Sequence, residues 1–478
     1  MSNPSANHKR IAIIGGGISG LAAAYRVREL NPSAEITLFE AADRLGGSLQ
    51  TIRQDGFLIE QGADSFITNT LWASDLCRRI GLADQLIPTN SNARGAMVVA
   101  HGKLERVPEG FLLMAPQKLG SILRTPILSL SGKARLAGEY FIKAREASAG
   151  DDESVASFVR RRLGREAFER LVQPLVGGIY TADPEKLSLA ATLPRFLEME
   201  RQHGGLIRGV RAQKQNTRDA DGANESGARY SMFMTPKHGL SSFVDAIAAR
   251  LPKESVQLNC KTERIEKAAS QWCVVSGNKS ENFDGLILAT SAAVTAKLLN
   301  GVDPSLADEL AGIEYAGSAV VTLGYDRKQI GHALDSFGFV VPAIERRRIL
   351  SASFSSVKFP GRAPNGKELI RVFLGGALQS EMLDLSDDQL CQNAEEELRD
   401  LLQITGSPCL SLVFRWPASM PQYHLGHLDR VARINDRVAQ LIGLALAGNA
   451  YGGVGIPQCV RSGEEAGARV LERIEAHK

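Results

Sequence analysis

Gly15, Gly17 and Gly20 stand at the spacing G-x-G-x-x-G in "IAIIGGGISG", residues 11–20. That spacing suits a turn that holds a pyrophosphate. The first glycine lets the chain reverse tightly, the second lets the backbone come against the phosphates, and the third lets the next helix pack on the strand. Free N–H groups at the start of such a helix face the anion. Gly15, Gly16, Gly17, Ile18, Ser19 and Gly20 are therefore the candidate phosphate cradle. Glu40 follows about twenty residues after the last glycine, where a ribose 2′-hydroxyl needs an acceptor. An acid there argues against a 2′-phosphate, hence against NADP. A second glycine pair, Gly46-Gly47 in "LFEAADRLGGSL", comes soon after that acid, and Arg44 is placed to bring positive charge to the phosphates.

The elements that must position these residues are legible around them. Residues 11–14 form an apolar run long enough for one buried parallel strand, residues 21–30 continue at helical spacing, and "AEITLFE" is a second strand ending in Glu40. The far end of the chain repeats the arrangement in "LALAGNAYGGVGIPQCVRSGEEAGARVLERI": a strand at 444–447, a glycine-rich turn, and a helix from about Pro457. The dipole of that helix can meet negative charge on a bound ligand.

Length and composition bound the rest. With 478 residues the chain needs two or three structural units. Hydrophobic residues at 44% and charged residues at 23% describe a soluble globular protein, and a net charge of +3 is too small to imply nucleic acid. Six cysteines (77, 260, 273, 391, 409, 459) show no C-x-x-C and no metal-like spacing, so no metal is expected and the thiols are expected reduced, in the cytoplasm. "MSNPSANHKR" has no apolar h-region, so no signal peptide is expected. Residues 439–460 hold no charge, but five glycines and Pro457 make this a nucleotide-binding turn rather than a membrane span.

Between the ends the pattern changes several times. Residues 112–200 read as mostly helical; Val155, Phe158, Val159, Leu163, Phe168, Leu171 and Val172 recur at helical spacing, with Arg160-Arg161-Arg162 as a solvated face. Residues 211–229 are polar and read as a mobile loop. Strand-like alternation runs through 315–380, followed by a helix in "SDDQLCQNAEEELRDLLQIT". The expected fold class is α/β. It has a discontinuous Rossmann-like dinucleotide domain (1–90, 236–300 and 430–478), a mixed-sheet substrate domain (91–111, 201–235 and 301–429) and a helical domain (112–200).

An acid followed by R-x-G-G, as at Glu40 and "DRLGGSL", resembles the FAD fingerprint of the flavoprotein superfamily of amine oxidases and porphyrinogen oxidases. The segments "LVQPLVGGIYTADPEKLSL" (171–189) and "RWPASMPQYHLGH" (415–427) are more specific, and they resemble the porphyrinogen oxidases of haem synthesis. The resemblance covers the chain end to end. It implies FAD as cofactor and six-electron oxidation of coproporphyrinogen III or protoporphyrinogen IX by dioxygen, with hydrogen peroxide as by-product. Carried over by residue, it puts flavin contacts at Gly15 to Gly20, Glu40, Ala41, Arg44, Gly47, Ser48, Gly62, Ala63, Asp64, Ser65, Thr262, Trp416, Val454, Gly455 and Ile456. Thr262 departs from the valine frequent there. Arg94 in "SNARGAMVVAHGKL" matches the arginine that holds a substrate carboxylate, and Gly178 falls where backbone meets the macrocycle.

No general base is assigned: the eight histidines are dispersed, and His424 and His427 read first as structural hydrogen-bonders. An amine oxidase of the same fold is the alternative. Its "GSxxK" lysine is absent here, because Gly317-Ser318-Ala319-Val320-Val321 has an apolar residue in that place. A Rab-escort-like protein without FAD is the non-enzyme alternative, opposed by Glu40 and both glycine-rich turns. Residues 109–130 either pack on the core or line the substrate entrance; the second reading is a monotopic patch in peripheral contact with the cytoplasmic face of a membrane. Hand-over of product to a ferrochelatase and a homodimer are the remaining partner expectations.

Overall fold

A computed structural model describes residues 8–476 apart from 92, 94, 117, 146–151, 213–232 and 269–270. The expected mobile loop therefore lies outside the described residues from 213 onward.

Five parallel strands make the nucleotide sheet: β1 (Arg10–Ile14), β2 (Glu35–Phe39), β3 (Val256–Gln257), β4 (Gly285–Leu288) and β5 (Leu444–Leu446), in the order β3-β2-β1-β4-β5. Residues far apart in sequence are thus neighbours in one sheet; Ile13 pairs with both Leu38 and Ile287. Both faces are covered, so β1 and β4 are apolar along nearly their whole length rather than alternating. Helix α1 (Ile18–Leu30) and the last helix, α2 (Ile456–Glu475), pack against each other on one face. Their approach depends on small residues: a Cβ at Gly463 would stand 2.1 Å from the Ser19 carbonyl oxygen, and one at Gly467 would stand 2.9 Å from that of Ala23.

The second large sheet has seven strands, in the order Leu410–Pro421, Tyr315–Asp326, Lys367–Gly375, Ser351–Phe354, Gly338–Val340, Met97–Ala100 and Lys103–Arg106. Only the pair Gly338–Val340 and Met97–Ala100 is parallel, which makes the sheet mixed. Helix Asp387–Leu402 covers it with Leu390, Ala394, Leu398 and Leu402, and begins with a capping box between Ser386 and Gln389.

Most of residues 119–203 is helical. Helix Val155–Leu163 is capped by Ser154, whose side chain accepts from the Ser157 N–H, and ends at Gly164 with φ +94°. The apolar residues named from periodicity, Val155 through Val172, are all buried. The triple arginine is not the solvated face that its charge suggested. Arg162 is fully buried and paired to Glu139 and Glu200, and Arg161 bridges Glu153 and Glu200. Only Arg160 behaves as expected, paired to exposed Glu185. A hydropathy pattern cannot register such pairing, because the acids lie far away in sequence. Residues 111–124 form a short hairpin, Phe111–Leu112 with Ala115–Pro116, and then a helix, Leu119–Arg124.

Candidate functional site

The two glycine-rich turns lie at the carboxyl ends of β1 and β5, where open parallel sheets hold their ligands. Gly15 has φ +107°, and a Cβ there would stand 2.7 Å from the Ala289 carbonyl oxygen; no other residue fits. Gly17 is different. Its backbone is extended (φ −69°), open to any residue, and a Cβ there would meet nothing within 4 Å. Nothing in the protein requires glycine at 17, so the requirement comes from whatever approaches that backbone.

Gly17 is also the N-cap of α1, and Gly455 is the N-cap of α2; neither offers a side chain to the first-turn N–H groups, and neither first turn holds an acid. Two helices thus present uncapped, positive N-termini toward the sheet's ligand edge. Ile18, Ser19 and Gly20 open the first, and Ile456 with Val454 just ahead of it opens the second.

Glu40 follows the end of β2 and turns back to the first glycine turn. Its Oε2 accepts the Gly16 N–H at 2.6 Å and its Oε1 accepts that of Ala42 at 2.8 Å, so the carboxylate is oriented beside the cradle with lone pairs to spare. Ala41 is exposed next to it. Arg44 donates to the carbonyls of Leu45 (3.1 Å) and Gly47 (2.8 Å), which fixes the guanidinium over the second glycine pair. Ser48 is exposed, and its carbonyl lies 2.2 Å from where a Cβ at Gly62 would be, so only glycine lets these two segments pass.

Ala63, Asp64 and Ser65 continue from Gly62 and are tied to the seven-stranded sheet by charge. Asp64 pairs with Lys358 (2.9 Å) and Arg371 (3.5 Å) and accepts from the Ser65 hydroxyl at 2.7 Å. Burial opposes its ionisation, but Lys358 and then Arg371 outweigh this and hold its carboxyl well below the usual range. Arg371 also donates to the Gly62 carbonyl. Nearby, burial pushes Glu60 up to about 7, against hydrogen bonds from the Leu240 N–H and the Thr51 hydroxyl. Lys358 and Arg371 were missed by sequence reasoning, since they lie about 300 positions beyond Asp64.

Thr262 is buried, and its hydroxyl has no hydrogen-bond partner among the described residues. Trp416 lies opposite Ser318 in the large sheet and donates its indole N–H to the Gln61 carbonyl at 2.8 Å, next to the 62–65 turn. The structure therefore brings together the residues at 15–20, 40–48 and 62–65. Arg94 lies outside the described residues. Gly178 lies in helix Gln173–Tyr180, where a Cβ would be 3.3 Å from Val340 of the large sheet. No group of acids, histidines and cysteines that could hold a metal occurs among the described residues. His427 is pushed down to about 4 by burial; its ring hydrogen-bonds the Tyr451 backbone, in keeping with the expected structural role, and stacks on Tyr423.

The features fit a long dinucleotide: an extended glycine with free space, two uncapped helix ends, an oriented acid and an orphaned buried hydroxyl. A flavin-containing amine oxidoreductase family model matches residues 18–471, and the chain belongs to that family; its cofactor is FAD. Within it, the chain is 33% identical over 465 residues to the coproporphyrinogen III oxidase of Bacillus subtilis, covering 96% of this chain and 97% of that one. The corresponding Staphylococcus aureus protein is also 33% identical, over 98% and 100% of the two chains. A solved structure from Exiguobacterium sp. that carries the protoporphyrinogen oxidase name superposes with a TM-score of 0.86 over 100% of both chains, at 29% identity.

Proposed function

We propose that this protein oxidises a porphyrinogen, coproporphyrinogen III or protoporphyrinogen IX, to the porphyrin. The carrying observation is similarity to proteins named for that reaction over 96% and 98% of this chain. FAD, when bound, supplies a hydride acceptor that dioxygen returns to the oxidised form, with one hydrogen peroxide per round. Three rounds remove six electrons and six protons, consuming three dioxygen molecules.

The chain's own part is binding and orientation. Residues 15–20 and 454–456 hold the cofactor's charged and polar parts at helix N-termini, Glu40 accepts from the ribose, and the Thr262 hydroxyl lies free to pair with the adenine end. The 62–65 turn and Trp416, tied together through Gln61, form a wall between cofactor and substrate sheet. Arg94 holds a substrate propionate, and the backbone at Gly178 meets the macrocycle. The pyrrole proton leaves to solvent or by tautomerisation, so no strong base is required.

Steady-state turnover with both porphyrinogens, followed by porphyrin fluorescence, tests this reading. Turnover of a primary amine with neither porphyrinogen oxidised would establish the amine oxidase alternative instead. The protein works in the cytoplasm in this reading. No helix among the described residues is long and apolar enough to cross a membrane. Leu123, Leu130 and Phe141 are 62%, 84% and 80% exposed, with Arg124 and Lys133 nearby in the chain. They favour peripheral contact with a membrane face, from which product passes to a ferrochelatase; a homodimer is compatible with this arrangement.

A further inference from the structure

The segment "MPQYHLGH" has no chemical duty in the function proposed above, yet its tyrosine reaches the cofactor-side turn. Tyr423 is 2% exposed. Its hydroxyl donates to the Asn449 carbonyl and accepts the Gly453 N–H at 2.8 Å. One phenol oxygen thus joins two points of the turn that runs from β5 into the N-terminus of α2. That turn needs external support, because Gly448 and Gly453 have φ of +133° and +131°, a region where only glycine is comfortable and where it is conformationally freest. The other end of the turn is held by the Ser462 hydroxyl, which accepts from the Gly448 N–H at 3.1 Å.

Tyr423 is itself held rigidly. His427 stacks flat on its ring, with centroids 4.0 Å apart and planes 11° apart. Its carbonyl accepts the Ser188 N–H at 2.8 Å, and Leu425 donates to the Lys186 carbonyl at 2.9 Å. Asp152 accepts from both the Ser188 hydroxyl (2.8 Å) and the Gly426 N–H (2.9 Å). The two segments most specific to the resemblance, 171–189 and 415–427, are therefore bonded to each other, and Tyr423 projects from their junction onto the turn.

We propose that Tyr423 is a positioning residue for the flavin. By fixing the peptide planes at Asn449 and Gly453, it aims the free N–H groups at the start of α2 toward the pyrimidine end of the cofactor. Those groups stabilise negative charge on the reduced form, so their alignment raises the flavin's reduction potential. The inference rests on the assignment of 454–456 to the flavin.

Tyr423→Phe removes one oxygen and keeps the stacked ring, so the fold is retained. Apoprotein of this variant, titrated with FAD by fluorescence quenching, is expected to bind roughly tenfold more weakly than wild type. Its midpoint potential is expected to be more negative and its visible flavin bands displaced. A Tyr423→Phe protein with wild-type affinity, potential and spectrum, whatever its thermal stability, overturns the proposal. Wild-type apoprotein that takes up no FAD would instead overturn the flavin assignment on which it rests.

Discussion

The Gly46 backbone N–H donates to the Gly16 carbonyl at 2.8 Å, and Gly17 and Gly46 form a parallel bridge. The second glycine pair is thus stitched to the first turn. Gly46 has φ +100° and no room for a side chain, since a Cβ would stand 2.7 Å from the Leu49 carbonyl oxygen; Gly47 has φ +58° and lies against Gly17. A side chain at Gly46 would push the cradle open, while Gly47 has room for a Cβ but a left-handed backbone that favours glycine. The pair therefore buttresses the pyrophosphate turn, in addition to any approach it makes to the cofactor.

Gly17→Val is expected to abolish FAD binding with the fold intact, because Gly17 adjoins open space and its extended backbone tolerates valine. Glu40→Ala is expected to weaken FAD by roughly tenfold to a hundredfold through lost ribose hydrogen bonds. Flavin absorbance of the purified variants, with circular dichroism as a fold control, reads both. Normal flavin content in folded Gly17→Val refutes the assigned cradle.

Arg94→Ala should raise KM for the porphyrinogen by roughly tenfold to a hundredfold, since a guanidinium holds a carboxylate through two parallel hydrogen bonds. Lysine should recover only part, keeping the charge without the fork. Flavin content and reoxidation by oxygen should not change. An unchanged KM would place the carboxylate anchor elsewhere.

Glu60 makes a pH prediction. Its pKa is raised from 4.5 to about 7 by burial, with Arg362 and Arg371 the cations facing it. The folded protein therefore holds a proton that the unfolded chain has released between these values. This contribution to stability is full below about 4.5 and is lost as pH rises through about 7, amounting to about 3 kcal/mol. Glu60→Gln should flatten that part of the stability profile, as measured by urea unfolding at pH 5 and pH 8. A parallel offset of the whole profile would show that Glu60 is not the titrating group.

Arg162 is fully buried between Glu139 and Glu200. Arg162→Ala leaves buried Glu139 without its cation and Glu200 with Arg161 alone, and should destabilise the protein by about 3–5 kcal/mol. Arg160→Ala, which breaks an exposed pair with Glu185, should cost less than about 1 kcal/mol. Equal losses in chemical denaturation would contradict the buried network.

Replacing Leu123, Leu130 and Phe141 by aspartate should remove membrane binding with activity on detergent-dispersed substrate retained, as these side chains are exposed. Flotation with anionic vesicles measures it. Wild-type protein that stays wholly at the bottom of the gradient sinks the peripheral-contact reading.

Local pattern alone marked out the candidate nucleotide cradle. Gly15, Gly17, Gly20 and Glu40 belong to one strand–turn–helix–strand unit, in which the φ of +107° at Gly15 and the approach of Gly20 to the Gly15 carbonyl are local requirements that only glycine meets. The apolar periodicity of 155–172 likewise told which face is buried, because burial of a helix face repeats along the sequence itself. What only the tertiary structure decided are partnerships between distant residues: Arg162 with Glu139 and Glu200, Asp64 with Lys358 and Arg371, and Tyr423 with Gly453. A charge or a phenol looks the same in sequence whether water or a buried partner satisfies it. Only the packing of the helices within 119–203, of the large sheet on the 62–65 turn, and of segment 415–427 on the turn after β5 brings those partners into contact and turns solvent-seeking groups into interior structure.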